Sequence, residues 1–253
     1  MYVPLDSTFL RPIAHRGLHD VGCGIIENTA PAFEAAIAGG YGIECDLRPA
    51  AGGAPVVFHD ATLDRLIDAT GPVAALTAVD LERRHYRDSP ERILSFAQFL
   101  NLVAGRAPLL VEVKSEWDPP QQAFLHAIAA HACAYQGPLA LMSFDPAALM
   151  VLKDLAPGIP RGLISGSYVA RDGSQWWPTR LSPARAASLR DLTDVQAVDA
   201  SLVAYLVDAL PAPQTQALRT RGIPVFAWTV RTPTERALAT IHADAMIFEG
   251  FTP

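Results

Sequence analysis

Four short clusters in this sequence carry residue types able to handle charge and protons: His15-Arg16-Gly17, Glu44-Cys45-Asp46, His59-Asp60 and Glu112-Val113-Lys114. In an extended strand, side chains two residues apart share a face, so Glu44 and Asp46 point the same way, with Cys45 opposed. Glu112 and Lys114 share a face by the same rule. Glu44, Asp46 and Glu112 make an all-oxygen set, which suits a hard cation, Mg²⁺ or Ca²⁺, rather than zinc. Arg16 and Lys114 stay available for an anion, and a phosphate fits them. His15 and His59 are then left as general acid and base, because the unperturbed pKa of imidazole lies nearest neutral pH. Each cluster alone has an ordinary reading: a structural pair, charge on an edge strand, a turn cap, a solvated ion pair. Their conjunction points to a metal-assisted acid–base site for a phosphorylated substrate.

Elements must bring these clusters together. Short apolar runs at 12–16, 42–47, 109–113, 139–143, 161–164, 196–199, 224–229 and 245–248 are predicted as strands. Segments of helical period are predicted as helices at 29–39, 94–104, 119–134, 145–154, 182–191, 202–209, 213–221 and 232–241. Asp145 and Pro146 mark one helix start as N-cap and first helical residue. Eight strands alternating with helices predict a parallel sheet closed into a (β/α)₈ TIM barrel, with a doubly wound open sheet as the alternative. The run 55–59 follows strand 42–47 too closely for a parallel crossover, so it folds back as a hairpin through Ala50–Ala54. A turn centred near Ala51–Gly52 sets Glu44 roughly opposite His59. Residues 60–93 read as a small insertion with a short helical pattern near 77–85, and 165–181 as a second irregular zone containing two tryptophans. The whole chain, 1–253, is expected to be a single barrel domain. Inward-facing charges at its strand ends cost several kcal/mol each unless paired or ligated.

The ordered run of motifs resembles the glycerophosphodiester phosphodiesterase family. It comprises His15-Arg16-Gly17, Glu27-Asn28-Thr29, Glu44-Cys45-Asp46, Val56-Val57-Phe58-His59-Asp60 and Glu112-Val113-Lys114, with later echoes at Ser143-Phe144 and Trp228-Thr229-Val230. The resemblance implies that His15 and His59 are the catalytic acid/base pair, and that Glu44, Asp46 and Glu112 ligate one Mg²⁺ or Ca²⁺. It further implies that Arg16 and Lys114 contact phosphate and that Glu27 and Asn28 support the site. Asn28 or Thr29 can equally cap the helix beginning near residue 30. Trp228 reads either as lining for the leaving-group pocket or as a core residue. Ile26 stands where the family usually has proline, and Ile247–Phe251 lacks the frequent Thr-Asp pair, which bears on a substrate contact of the last loop. The implied reaction is metal-dependent hydrolysis of glycerophosphodiesters to glycerol 3-phosphate and an alcohol. Cleavage of lysophospholipids is the nearer alternative; a Schiff-base aldolase using Lys114 and a non-catalytic binding barrel are the alternatives of other classes.

Composition bounds these readings. Half of the 253 residues are hydrophobic and 18% are charged, enough apolar material for a sizeable core. A net charge of −6 leaves no general basic surface for nucleic acid, so an anionic substrate needs local positive charge or a metal. Cys23, Cys45 and Cys133 are odd in number and contain no CxxC pair, which suggests reduced thiols in the cytoplasm. No signal peptide is read at the N-terminus, and no apolar run approaches the roughly 20 residues of a membrane span. The expected partner is therefore a small-molecule phosphodiester, with no nucleic acid and no stable membrane insertion.

Overall fold

The structure, a computed structural model, describes residues 2–117, 119–169, 172–175 and 181–253. Trp176 and Trp177 of the irregular zone lie outside the described residues. Strands β1 (Ile13–Ala14), β2 (Gly42–Pro49), β5 (Leu109–Val113), β6 (Leu139–Ser143), β7 (Arg161–Ser165), β8 (Leu202–Leu206), β9 (Val225–Val230) and β10 (Ala245–Phe248) form a parallel ring. The ring closes because β1 pairs on one side with β10, Ile13 against Ile247, and on the other with β2, Ile13 against Gly42. Two further strands, β3 (Pro55–Val57) and β4 (Leu94–Ser95), stand outside it as an antiparallel flap on β2.

Strand alternation divides the core in two. Ile13, Leu110, Met142, Ile164, Ala204 and Phe226 point into the barrel, where Phe9 of the N-terminal segment joins them. Ile43, Cys45, Leu47, Val111 and Val203 point outward onto the surrounding helices. These helices are α1 (Ala30–Ala38), α3 (Phe96–Val103), α4 (Gln122–Ala134), α5 (Pro146–Leu155), α6 (Pro183–Arg190), α7 (Pro213–Thr220) and α8 (Pro233–His242). Their starts follow local chemistry: Asp145 caps α5 by accepting from Ala147 N, while Ser95 with Gln98 and Thr232 with Glu235 form reciprocal capping boxes. The short α2 (Ala78–Leu81) lies in the 60–93 segment, whose Leu63, Ile67, Val73, Leu81, Tyr86 and Ile93 pack with Val56 and Phe58 into a small core of their own.

Four expectations need correction. Residues 196–199 are turn rather than strand, and 202–209 is β8 followed by a 3₁₀ turn at Val207–Ala209 rather than a helix. The run LVAYL is apolar throughout and shows no period, so only its place between β7 and β9 reveals an alternating strand. Leu94 and Ser95, expected to open a helix, form β4 before Ser95 caps α3. Finally, the hairpin pairs Leu47 with Val57, which by extension sets Glu44 opposite Asp60; His59 is offset by one residue from the expected register.

Candidate active site

The four sequence clusters meet at the C-terminal ends of the barrel strands, around a cavity of about 340 Å³. His15 and Arg16 follow β1, Glu44 and Asp46 lie on β2, His59 follows β3, and Glu112 and Lys114 close β5. The β2–β5 register places Asp46 beside Glu112. Glu44 is 2% exposed, Asp46 0% and Glu112 8%, and their ligand oxygens lie within 4.8 Å of one another.

Positive charge is threaded through this cluster. Lys114 Nζ lies 2.8 Å from Asp46 Oδ1 and 2.7 Å from Glu112 Oε1. Arg16 Nη1 bonds Glu27 at 2.7 Å, and its Nε lies 3.4 Å from Asp46 Oδ2. Burial alone would raise the Asp46 pKa, but Lys114, His59, Arg16 and His15 outweigh it and hold the carboxylate well below its usual range. Burial would lower the Lys114 pKa, yet Asp46 and Glu112 raise it. Glu44 is the opposite case: burial first, then the charges of Asp46 and Glu112, push its pKa well above a normal carboxylate. The cluster thus holds more negative charge than its neighbouring cations offset at Glu44. A divalent cation on these oxygens matches both the donor chemistry and the missing charge.

Both histidines are held from behind. His15 Nδ1 lies 2.5 Å from Glu249 Oε2, and its Nε2 lies 3.9 Å from Glu44 Oε2. His59 Nδ1 lies 2.7 Å from Asp60 Oδ1. Burial lowers the His15 pKa against the opposing bond from Glu249; burial likewise lowers that of His59, opposed by Asp46 and aided by Lys114 and Arg16. Arginines fix the two carboxylates in turn: Arg231 Nε bonds Glu249 Oε1 at 2.5 Å, and Arg65 Nε bonds Asp60 Oδ2 at 2.6 Å.

The loop after β1 explains the supporting residues. Gly17 has a φ of +77°, and a Cβ there would lie 2.8 Å from the Ala32 backbone, so the third residue of the first cluster must be glycine. Arg16 and Asn28 also occupy the left-handed region, with φ of 55° and 58°. Asn28 does not cap α1: its Nδ2 donates to Asp46 Oδ2 at 2.8 Å and its backbone N–H to Arg16 O at 2.9 Å. Thr29 occupies the N-cap position without a side-chain capping bond. Glu27 binds both Arg16 and Arg65, tying the first loop to the 60–93 segment. Trp228 lines the cavity, donates from Nε1 to Ser165 O at 3.0 Å and meets Phe144 edge-on at 5.3 Å. Met142, Ile164 and Ile247 line the same cavity as further apolar residues.

All ten residues singled out in the sequence (His15, Arg16, Glu27, Asn28, Glu44, Asp46, His59, Glu112, Lys114 and Trp228) fall in or against this one site. Glu249, Arg65 and Arg231 carry no such signal in the sequence. Asp60 was visible as the neighbour of His59. Glu249 had a weaker signal, being an acidic residue just past the last strand, where the family's Thr-Asp pair was missing.

The sequence pattern of the Glycerophosphoryl diester phosphodiesterase family matches residues 15–249. Glycerophosphodiester phosphodiesterase 1 of Bos taurus is 48% identical over 67 residues, covering 26% of this chain and 19% of that protein. A Mycobacterium tuberculosis sequence named probable glycerophosphodiester phosphodiesterase 1 is 28% identical over 180 residues, covering 60% of this chain and 63% of that one. The matched stretches thus span about a fifth and somewhat under two thirds of these relatives' lengths. Among solved structures, an Oleispira antarctica phosphodiesterase in complex with the product sn-glycerol-3-phosphate superposes with a TM-score of 0.76 at 21% identity, over 94% of this chain and 92% of that one. That likeness shows the barrel fold.

Proposed function

The chain belongs to the glycerophosphoryl diester phosphodiesterase family, and from that premise we propose that it hydrolyses glycerophosphodiesters to glycerol 3-phosphate and an alcohol. The observation that carries the proposal is the pair of histidines, each held at Nδ1 by a carboxylate and each lining one cavity with Arg16, Lys114, Glu44 and Glu112, with Asp46 buried beneath them. The Oleispira relative's bound product is the product expected here.

Glu44, Asp46 and Glu112 would hold the divalent ion on which the family generally depends, Mg²⁺ or Ca²⁺. When bound, that ion supplies Lewis-acid stabilisation of charge on phosphate oxygens. Arg16 and Lys114 bind the phosphate and orient it. Glu249 and Asp60 keep a proton on each Nδ1, so each Nε2 is the working nitrogen. One histidine takes a proton from the attacking oxygen, of water or of the glycerol 2-hydroxyl, as that oxygen bonds phosphorus. The other gives its proton to the departing alkoxide oxygen as the old P–O bond breaks. After attack by the 2-hydroxyl, water then opens the cyclic phosphate by the same pair of proton transfers. Asn28 restrains Asp46, and Glu27 restrains Arg16. The apolar lining of Phe144, Trp228, Ile164 and Ile247 receives the less polar end of the substrate. That lining is also the observation favouring the second reading, a lysophospholipid with its acyl chain against it. Lys114 argues against the Schiff-base alternative, since its paired ammonium is stabilised in the charged form, the reverse of what a nucleophilic lysine needs.

Three unpaired cysteines suit the reducing cytoplasm that we propose as its location. Among the described residues no helix is long and apolar enough to cross a membrane.

Release of glycerol 3-phosphate from glycerophosphocholine and glycerophosphoethanolamine, measured with Mg²⁺, with Ca²⁺ and after EDTA, tests the reading. Metal-dependent release is the expected outcome. A folded sample that releases product only from lysophospholipids selects the second reading, and inactivity on all of these substrates rejects both.

A further inference from the structure

Beside the oxygen cluster, the barrel rim carries a second group of ligand-type side chains with different chemistry. His15 after β1, His19 four residues further on and Glu249 after β10 bring three ligand atoms within 4.8 Å of one another. His15 Nδ1 lies 2.5 Å and His19 Nε2 3.5 Å from the same oxygen, Glu249 Oε2. The three side chains are 13%, 17% and 19% exposed; His15 lines the site cavity, while His19 lines a second recess with Asp20 and Gly250.

We propose that His15, His19 and Glu249 form a nitrogen-rich site for a borderline divalent ion, Zn²⁺ foremost, and that an ion bound there inhibits the enzyme. Two imidazoles and one carboxylate are a zinc donor set with one position left for water, whereas Glu44, Asp46 and Glu112 offer oxygen alone. The spacing is close to what such an ion requires: ligands at about 2.0–2.1 Å in tetrahedral array lie roughly 3.3 Å apart. Small side-chain rotations of His15 and His19 about Glu249 therefore suffice. Arg231, bonded to the other oxygen of Glu249, leaves Oε2 for the ion.

Inhibition follows from imidazole chemistry. A neutral imidazole has one in-plane lone pair. An ion on Nδ1 takes it and moves the ring proton to Nε2, so the nitrogen facing the cavity can no longer accept a proton. The inhibitory half of the proposal rests on the catalytic reading of His15; the binding half does not.

The experiment uses Co²⁺ as a visible-absorbing stand-in for Zn²⁺, with millimolar Mg²⁺ present to fill the oxygen site. Co²⁺ bands that Zn²⁺ displaces are expected in the wild type and in Glu44→Gln. Binding should weaken roughly tenfold or more in His19→Ala and His19→Gln, as for loss of a metal ligand or its support. In parallel, micromolar Zn²⁺ should inhibit glycerol 3-phosphate release by the wild type, while the His19 variants, with basal activity retained, resist it to a similar factor. Equal Co²⁺ binding in folded wild type and His19 variants overturns the site. Displaceable Co²⁺ bands without inhibition overturn the inhibitory role. Should the wild type release no product even without zinc, the failure lies in the proposed hydrolysis, and the cobalt spectra still decide the site.

Discussion

Behind each proposed catalytic imidazole stands a carboxylate, and behind each carboxylate an arginine: His15, Glu249 and Arg231 on one side, His59, Asp60 and Arg65 on the other. Such chains fix both the tautomer and the ring orientation, so the Nε2 atoms are placed before substrate arrives. Replacing His15 or His59 by alanine should therefore lower kcat by about 10²–10⁴ while leaving the far-UV circular dichroism unchanged; wild-type activity in a folded His59→Ala protein would remove that residue from the mechanism. The histidines themselves were legible because they end strand-like runs. Glu249 was not, because it lies 234 positions from His15 and no local pattern records their meeting.

Among the elements, the β2–β3 hairpin and the 60–93 segment do most to complete the site, since they deliver His59 and then clamp it. Arg65 is the clasp, bonding Asp60 and Glu27 at once. Asp60 titrates at about 2 rather than 3.8: burial would raise it, but hydrogen bonds from Arg65 and His59 outweigh burial. A depressed carboxylate stabilises the fold above its unfolded value and loses that contribution as pH falls through its folded one. Arg65 holds the Glu27 carboxylate below its ordinary 4.5 as well, so the Tm difference between wild type and Arg65→Ala should be full above pH 4.5 and shrink as pH falls towards about 2; a difference independent of pH in thermal melts would contradict the clasp. The same scale shows where sequence patterns fail. β8 is apolar on both faces, Leu202 and Ala204 inside and Val203 and Tyr205 outside, so it has no period to read.

The whole molecule separates chemistry from stability along the barrel axis. Charged groups and the proposed acid–base histidines gather at the C-terminal ends of the strands, whereas Phe9 of the N-terminal segment, 1% exposed, joins the apolar filling of the interior. Phe9→Ala should cost about 3–5 kcal/mol, roughly 6–20 °C in Tm for a chain of this size, with kcat below the melting range changed by less than about twofold. A large loss of kcat with Tm preserved would mean that Phe9 communicates with the site.

Alternation within single strands was readable from the sequence alone, because strand geometry obliges residues two apart to share a face. It placed Glu44 with Asp46, and Glu112 with Lys114; the apolar runs marked seven of the eight ring strands, while β8 read as a helix. Register between strands, the closure of β1 onto both β2 and β10, and the meeting of Glu249 with His15 came only with the tertiary structure. These features depend on how far each strand slides against its neighbours and on which loop crosses the barrel mouth. Both are settled by the packing of the whole ring, which no short stretch of sequence contains.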